Sequence, residues 1–356
     1  MPLIPLHGHD ALRERLAEQA DRGALPSSLL LQGPVGVGKQ RLALWLGQRL
    51  LCEGTGERPC GECQHCNYAS KLQHPDLRWF FPRPRIPASS DIPLEEVQQE
   101  YDEALKERAD AHGLYSRPDG SAGLFIYVTR LLVHMATRSP ALARRKVFIV
   151  GDAERMASQA SSQEAANAFL KMLEEPPADT TIILTSSEPG ALLPTIRSRV
   201  VAVRVAPLTD EAMQRFVADP LVATALPNEH PAELLRMAAG APGALIGADD
   251  RTAALTKARQ FLQATDGGRE QVLRAAFTAG SSKARGGFAD VLDALTVLMH
   301  ERAREAAARG DYQLADRAAR AVPKIEEAKR AAEGNANPQL VTAQLLGALS
   351  AAGGRA

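Results

Sequence analysis

Three apolar runs along the chain, Leu29 to Leu31, Lys146 to Val150 and Thr181 to Thr185, read as strands, and the segments around them carry apolar residues at helical spacing. The first run leads through a glycine-rich loop into the amphipathic segment QRLALWLGQRLL. A further helix is expected around Tyr127 to Ala136. Between the second and third runs, Ser161-Ser162-Gln163-Glu164 has the form of a capping box. It opens a helix whose apolar face is Ala165, Phe169, Met172 and Leu173 and which stops at Pro176-Pro177. Strands and helices in this alternation predict a mostly parallel α/β domain over residues 1–207, with crossover helices on both faces.

Outside that domain the pattern changes. Residues 208–249 predict short helices punctuated by prolines, a small helical unit. Residues 250–356 are rich in Ala, Leu and Arg, and the stripe Phe288, Val291, Leu292, Leu295, Leu298 and Met299 has the spacing of a helical-bundle core. The last residues, SAAGGRA, are expected to fray. Residues 82–121 interrupt the α/β domain with a helical stretch, EEVQQEYDEALKERADAH, between two Pro- and Gly-rich flanks. The expectation for this insertion is a solvated surface excursion, since loops tolerate added chain.

Composition narrows the class. The 356 residues are 45% hydrophobic, enough for two or three units with their own cores. No run approaches the ~18 uncharged apolar residues of a membrane helix, and MPLIPLHGHD lacks the basic and apolar regions of a signal peptide. A cytoplasmic location and no membrane partner are expected. The 42 basic and 42 acidic side chains cancel, which argues against coating nucleic acid by bulk electrostatics. Any DNA contact would be local or shared with partners.

Cys52, Cys60, Cys63 and Cys66 are the only cysteines, with seven residues between the first pair and two between each later pair. Four thiolates at this spacing can close a tetrahedral zinc site, and Gly54, Gly56, Pro59 and Gly61 supply the turns that wrap a short chain round one ion. Two disulfides are the plain alternative, disfavoured where thiols stay reduced. An iron–sulfur cluster is the other competitor. With four protein ligands such a zinc site is structural, having no open position for substrate.

Gly33-Pro34-Val35-Gly36-Val37-Gly38-Lys39 fits the G-x-x-x-x-G-K phosphate loop, in which backbone N–H groups and a helix N-terminus cradle phosphates and the lysine neutralises them. Gln40 stands where Ser or Thr would hold Mg2+, and an amide is a poor ligand for a hard cation. The acidic strand end that completes such a site is also altered. Aligned on the run Lys146 to Val150, Gly151 falls where the metal-binding Asp belongs and Asp152 where the water-activating Glu belongs, with Glu154 beyond them. Loss of the metal's hydroxyl and carboxylate ligands removes two of the parts that phosphoryl transfer depends on. ATP binding is doubtful and hydrolysis more so.

QGPVGVGK, the four cysteines, NAFLKMLEEPP and SSEPGALLPTIRSR, in this order, resemble the clamp-loader branch of the AAA+ ATPases over nearly all of residues 1–250. The resemblance implies an AAA+ domain carrying a zinc module at 52–66, a helical lid at 208–249 and a helical collar at 250–356. It also implies membership of a five-subunit ring with the motor (gamma/tau) and delta subunits, which places a sliding clamp on primed DNA. Within that ring the chain would be the stator that does not itself hydrolyse ATP. Ser198-Arg199 would then face ATP on the neighbouring motor subunit, with Arg199 acting as an arginine finger in trans.

Val200 replaces the usual Cys after the arginine, and no second-sensor arginine appears near Gly240 to Ala244. Ser186 or Ser187 would take the first sensor position, as a turn or capping residue. Two other readings remain: a self-sufficient AAA+ ATPase, and a zinc-dependent DNA-binding protein using Arg144-Arg145-Lys146. No carboxylate constellation for nucleotidyl transfer is visible, so any polymerase activity would belong to the holoenzyme.

Overall fold

The computed structural model describes residues 2–86, 92–116, 122–156, 163–226, 230–246, 248–266, 268–277, 285–333 and 336–353. The chain divides into two compact units, with the boundary after Ile246. In the first, β1 (Ser28–Gln32), β2 (Leu77–Phe80), β3 (Lys146–Val150), β4 (Thr180–Ser186) and β5 (Val201–Arg204) form one parallel sheet in the order β2-β3-β4-β1-β5. The three inner strands are the three apolar runs; β2 and β5 are the edges, which the sequence pattern did not reveal. Because β4 lies between β1 and β3, the segments leaving all three strands converge at one end of the sheet. In open parallel sheets this is where ligands bind.

Helices α1 (Asp10–Asp21), α2 (Lys39–Leu51), α3 (Gln64–Ala69), α4 (Leu94–Asp110), α5 (Ile126–Ala136), α6 (Gln163–Glu174) and α7 (Pro194–Arg197) complete the α/β part. The first two residues of the expected capping box, Ser161 and Ser162, lie outside the described residues, but α6 begins where that box would start it. Phe169, Met172 and Leu173 are buried in the main core, as their spacing requires.

The insertion is not a solvated excursion. One stripe of α4, formed by Val97, Tyr101, Ala104, Leu105 and Ala109, is buried in the same core. The Tyr101 hydroxyl donates to the Phe81 carbonyl at 2.7 Å. The next turn places the Arg108 guanidinium 3.2 Å from the ring centre of Phe81, 3.8 Å from Tyr115 and 4.3 Å from Trp79. Burial lowers its pKa to about 10, opposed by the nearby Tyr115 and Asp152. Charged flanks disguise a helix whose one apolar face, closed by a stacked guanidinium, is part of the fold.

Three short helices, α8 (Asp210–Val217), α9 (Pro220–Ala223) and α10 (Pro231–Ala238), enclose a small core of Met213, Phe216, Val222, Leu234 and Leu245. The second unit is helical: α11 (Ala248–Asp266), α12 (Arg269–Phe277), α13 (Arg285–Ala308), α14 (Tyr312–Glu333) and α15 (Pro338–Gly353). Phe288, Val291, Leu292, Leu295 and Met299 of α13 are buried in its core and Leu298 packs at the rim. No described helix is long and apolar enough to cross a membrane.

Candidate functional site

The phosphate loop joins β1 to α2. Gly33 passes beneath the end of β5 so closely that a β-carbon would lie 2.1 Å from the Val205 carbonyl oxygen. Gly38 caps α2 at φ 93°, a conformation that favours glycine. His9 Nε2–H donates to the Val37 carbonyl at 2.8 Å, and burial lowers the pKa of this histidine. Lys39 is 5% exposed. Its ammonium donates to the Gly33 carbonyl (2.9 Å), the Pro34 carbonyl (2.8 Å) and Ser187 Oγ (2.9 Å), all oxygens of its own chain.

A second contact closes the loop from the other side. The turn Pro242–Ala244 lies where the resemblance would place a sensor arginine, and its Gly243 N–H donates to the Gly36 carbonyl at 2.9 Å. A β-carbon on Gly243 would lie 2.9 Å from Gly36 Cα. Backbone therefore packs on backbone here, leaving no room for a side chain at 243 and only a tight fit for one at 36.

Gln40, in the first turn of α2, meets Gly151, 111 positions on and directly after β3. The Gln40 amide is 7% exposed, and its Oε1 accepts from Trp79 Nε1 at 2.9 Å. A β-carbon on Gly151 would lie 2.4 Å from that same Oε1 and 2.6 Å from Cδ. The amide fills the space into which an aspartate at 151 would project, so each departure from the motif accommodates the other. Asp152 follows in the left-handed region at φ 49°, its N–H donating to Thr185 Oγ1 at 3.1 Å. Glu154 Oε1 accepts from the Ser187 N–H at 2.9 Å, and Ser186 Oγ accepts from the Glu188 N–H at 3.1 Å. Ser186 thus ends β4 with its hydroxyl capping the turn that follows, and Ser187 supplies one of the oxygens round the Lys39 ammonium. At the two motif positions, 40 and 151, an amide and a glycine stand where a hydroxyl and a carboxylate would hold a divalent cation.

Ser198 and Arg199 follow α7, on the connection to β5. Arg199 Nε donates to Glu174 Oε2 at 2.9 Å and Nη1 to the Thr195 carbonyl at 3.0 Å, while Ser198 Oγ donates to that carbonyl at 3.1 Å. The Arg199 side chain is 29% exposed and that of Glu174 59%, so this pair lies at the surface. The basic triplet does not act as one patch: Arg144 and Arg145 are exposed, whereas Lys146 is buried and donates to the carbonyls of Ala136 and Arg138.

The four cysteines converge as free thiols. Their sulfurs all lie within 4.8 Å of one another, with Cys60–Cys66 and Cys52–Cys63 each at 4.0 Å. Tetrahedral coordination at a metal–sulfur distance near 2.3 Å calls for sulfurs about 3.8 Å apart, so the set could hold a metal ion. The surrounding backbone is built for this. N–H groups of Gly54 and Cys60 point at Cys52 Sγ (both 3.4 Å), that of Cys63 at Cys60 Sγ (3.3 Å) and that of Cys66 at Cys63 Sγ (3.4 Å). The bond from the Cys63 N–H, with a second backbone bond from Glu62, lowers the Cys60 pKa to about 6. Burial pushes the Cys66 thiol up, a penalty that an adjacent cation reverses. A β-carbon on Gly54 would come within 2.8 Å of Cys60 Sγ.

A family model described as DNA polymerase III, delta subunit, matches residues 8–209. The DNA polymerase III subunit delta' of Pseudomonas aeruginosa is 33% identical over 218 residues, 60% of this chain and 52% of that protein. Its Escherichia coli counterpart is 28% identical over 234 residues, 65% of this chain and 57% of that protein. The DNA polymerase III subunit gamma/tau of Mycobacterium tuberculosis is 29% identical over 193 residues, 54% of this chain and 26% of that protein. The chain spans about half the length of the curated delta' relatives it matches. Matched over more than half of its residues by the family model, and similar to the delta' subunits above, the chain belongs to the DNA polymerase III delta-subunit family.

Proposed function

We propose that this chain is the non-hydrolysing stator of a clamp loader, a five-subunit ring with the motor (gamma/tau) and delta subunits that loads a sliding clamp on primed DNA. The observation that carries this reading is the meeting of Gln40 with Gly151, where the amide stands in the space of the metal-binding carboxylate. With Gln40 and Gly151 in place of the hydroxyl and carboxylate that would hold Mg2+, phosphoryl transfer lacks its charge-neutralising centre. The vestigial loop of Gly33, Gly36, Gly38 and Lys39 serves the fold, and turnover belongs to the neighbours.

What the stator contributes to that turnover is Arg199, positioned beside Ser198. An arginine stays charged, and its planar fork suits the oxygens of a phosphate on an adjacent subunit; its surface position supports action in trans. Cys52, Cys60, Cys63 and Cys66 would hold a structural zinc ion, whose charge supports four thiolates at one point and locks residues 52–66. The protein works in the cytoplasm through the complex.

One reconstitution tests the reading. Arg199→Ala is expected to leave ring assembly intact and to lower the DNA-stimulated ATPase of the complex at least about tenfold, since fingers in GTPases contribute about 10³ or more. The isolated chain is expected to show no turnover with Mg-ATP. Unchanged ATPase in the Arg199→Ala complex would remove the finger. Turnover by the isolated chain that Lys39→Ala abolishes would instead indicate a self-sufficient ATPase.

A further inference from the structure

Arg199 is held on two of its three guanidinium nitrogens before any partner arrives. Nε is bound to the Glu174 carboxylate at 2.9 Å, and Nη1 to the Thr195 carbonyl at 3.0 Å with Ser198 Oγ at 3.4 Å. Among the described residues Nη2 has no hydrogen-bond partner, so its two protons are uncommitted. Two anchors on different nitrogens fix the plane of the fork as well as its position.

The anchors differ in origin. Thr195 belongs to α7, part of the same short segment as Arg199, and moves with it. Glu174 is the last residue of α6, a helix fastened through the buried Phe169, Met172 and Leu173 and ended by Glu175-Pro176-Pro177. The carboxylate thus ties a residue on a connecting loop to the rigid frame of the domain. An exposed ion pair of this kind contributes little to folding stability. Its effect is to spend the rotamer freedom of a long side chain in advance, so that less is lost when a second ligand binds.

We propose that Glu174 is a positioning residue for the Arg199 finger, holding the guanidinium so that Nη2 meets a phosphate on the neighbouring subunit. The inference rests on the finger reading given above. The carboxylate subtracts positive charge from the guanidinium, so its contribution is geometric and should appear in turnover more than in nucleotide affinity. A glutamine at 174 keeps an oxygen that can accept from Nε and should preserve that geometry.

Five complexes reconstituted with the motor and delta subunits decide it, the wild type, three single variants and one double variant, with steady-state ATPase measured in the presence of clamp and primed DNA. Glu174→Ala is expected to lower kcat about fivefold with KM within about twofold, the size of one exposed ion pair expressed in the transition state. Glu174→Gln should stay within about twofold of wild type. In an Arg199→Ala background, Glu174→Ala should have no further effect, because there is nothing left to position. If Arg199→Ala lowers kcat while Glu174→Ala leaves it unchanged or raises it, the positioning role is wrong and the finger stands. An equal fractional loss from Glu174→Ala in both backgrounds would make the residue merely structural. No effect of Arg199→Ala would overturn finger and positioner together.

Discussion

Two motifs of this chain are nearly complete in sequence, and the fold treats them in opposite ways. The four cysteine sulfurs face one another with backbone N–H groups arranged about them and no disulfide between any pair, so their donor capacity is directed at a common centre. The phosphate loop is turned inward. Its lysine is bound to three oxygens of its own chain, its Gly36 carbonyl to Gly243, and the amide of Gln40 to Trp79. Whether a motif still binds its ligand is decided by what its polar groups already hold, because a group that is buried and satisfied must give up a partner before it can take another.

The contrast is most exposed to test at the cysteines. Cys66 is fully buried at the cluster, and Cys66→Ser should abolish stoichiometric zinc in the purified protein, measured by elemental analysis. Loss of a four-ligand structural ion should also destabilise the chain by several kcal/mol, seen as a lowered unfolding midpoint that added zinc does not restore. Full zinc content in that variant, or a thermal midpoint indifferent to chelator, would put the cluster in the same class as the phosphate loop.

A smaller effect is expected where the Gln40 amide lies against Gly151. Gly151→Asp forces a β-carbon against the Gln40 amide and should cost about 3 kcal/mol by denaturant unfolding, through overpacking and a poorly solvated carboxylate. Gln40→Ser should cost about 1 kcal/mol through the loss of the Trp79 bond. Together the two should cost less than their sum, since the second removes the obstacle to the first. Strict additivity would mean that the amide and the missing carboxylate do not share one space. Restored Mg-ATP turnover in the double variant would show that the rest of the catalytic machinery has survived, which the closure by Gly243 argues against.

How far each region could be read in advance follows from how local its cause is. The cysteine cluster was legible because its ligands lie within fifteen consecutive residues, where spacing alone limits the geometry. Strands β1, β3 and β4 were legible as apolar runs. Strand β5 was not, for its residues are mostly exposed and only four long, and β2 carries an arginine within its four. The buried face of α4 is hard to see within the insertion because Val97, Tyr101, Ala104 and Leu105 are spread thinly among charges, though they fall on one stripe. The Gln40–Gly151 fit, the Lys39–Ser187 bond and the Gly36–Gly243 closure had no signal along the chain. Each joins residues more than a hundred positions apart, and the strand order alone brings the first two pairs together.

The gentlest probe of the same contrast is Lys39→Met. In a phosphate loop that works, this lysine serves the ligand, and its loss leaves the fold nearly untouched while removing nucleotide binding. Here the ammonium serves the fold, so the cost should appear in stability. Removing it leaves the Gly33 and Pro34 carbonyls short of a donor, a penalty partly offset because a charge no longer has to be buried and the thioether fills most of the volume. The net should be about 1 kcal/mol, a drop of a few degrees in the unfolding midpoint. Millimolar Mg-ATP should move neither the wild-type nor the variant midpoint, since a ligand stabilises only the state it binds. A rise of several degrees in wild type that vanishes in Lys39→Met would mean that the lysine exchanges its three oxygens for phosphate. The loop would then be a latched site rather than a retired one, and the line drawn between it and the cysteine cluster would fall elsewhere.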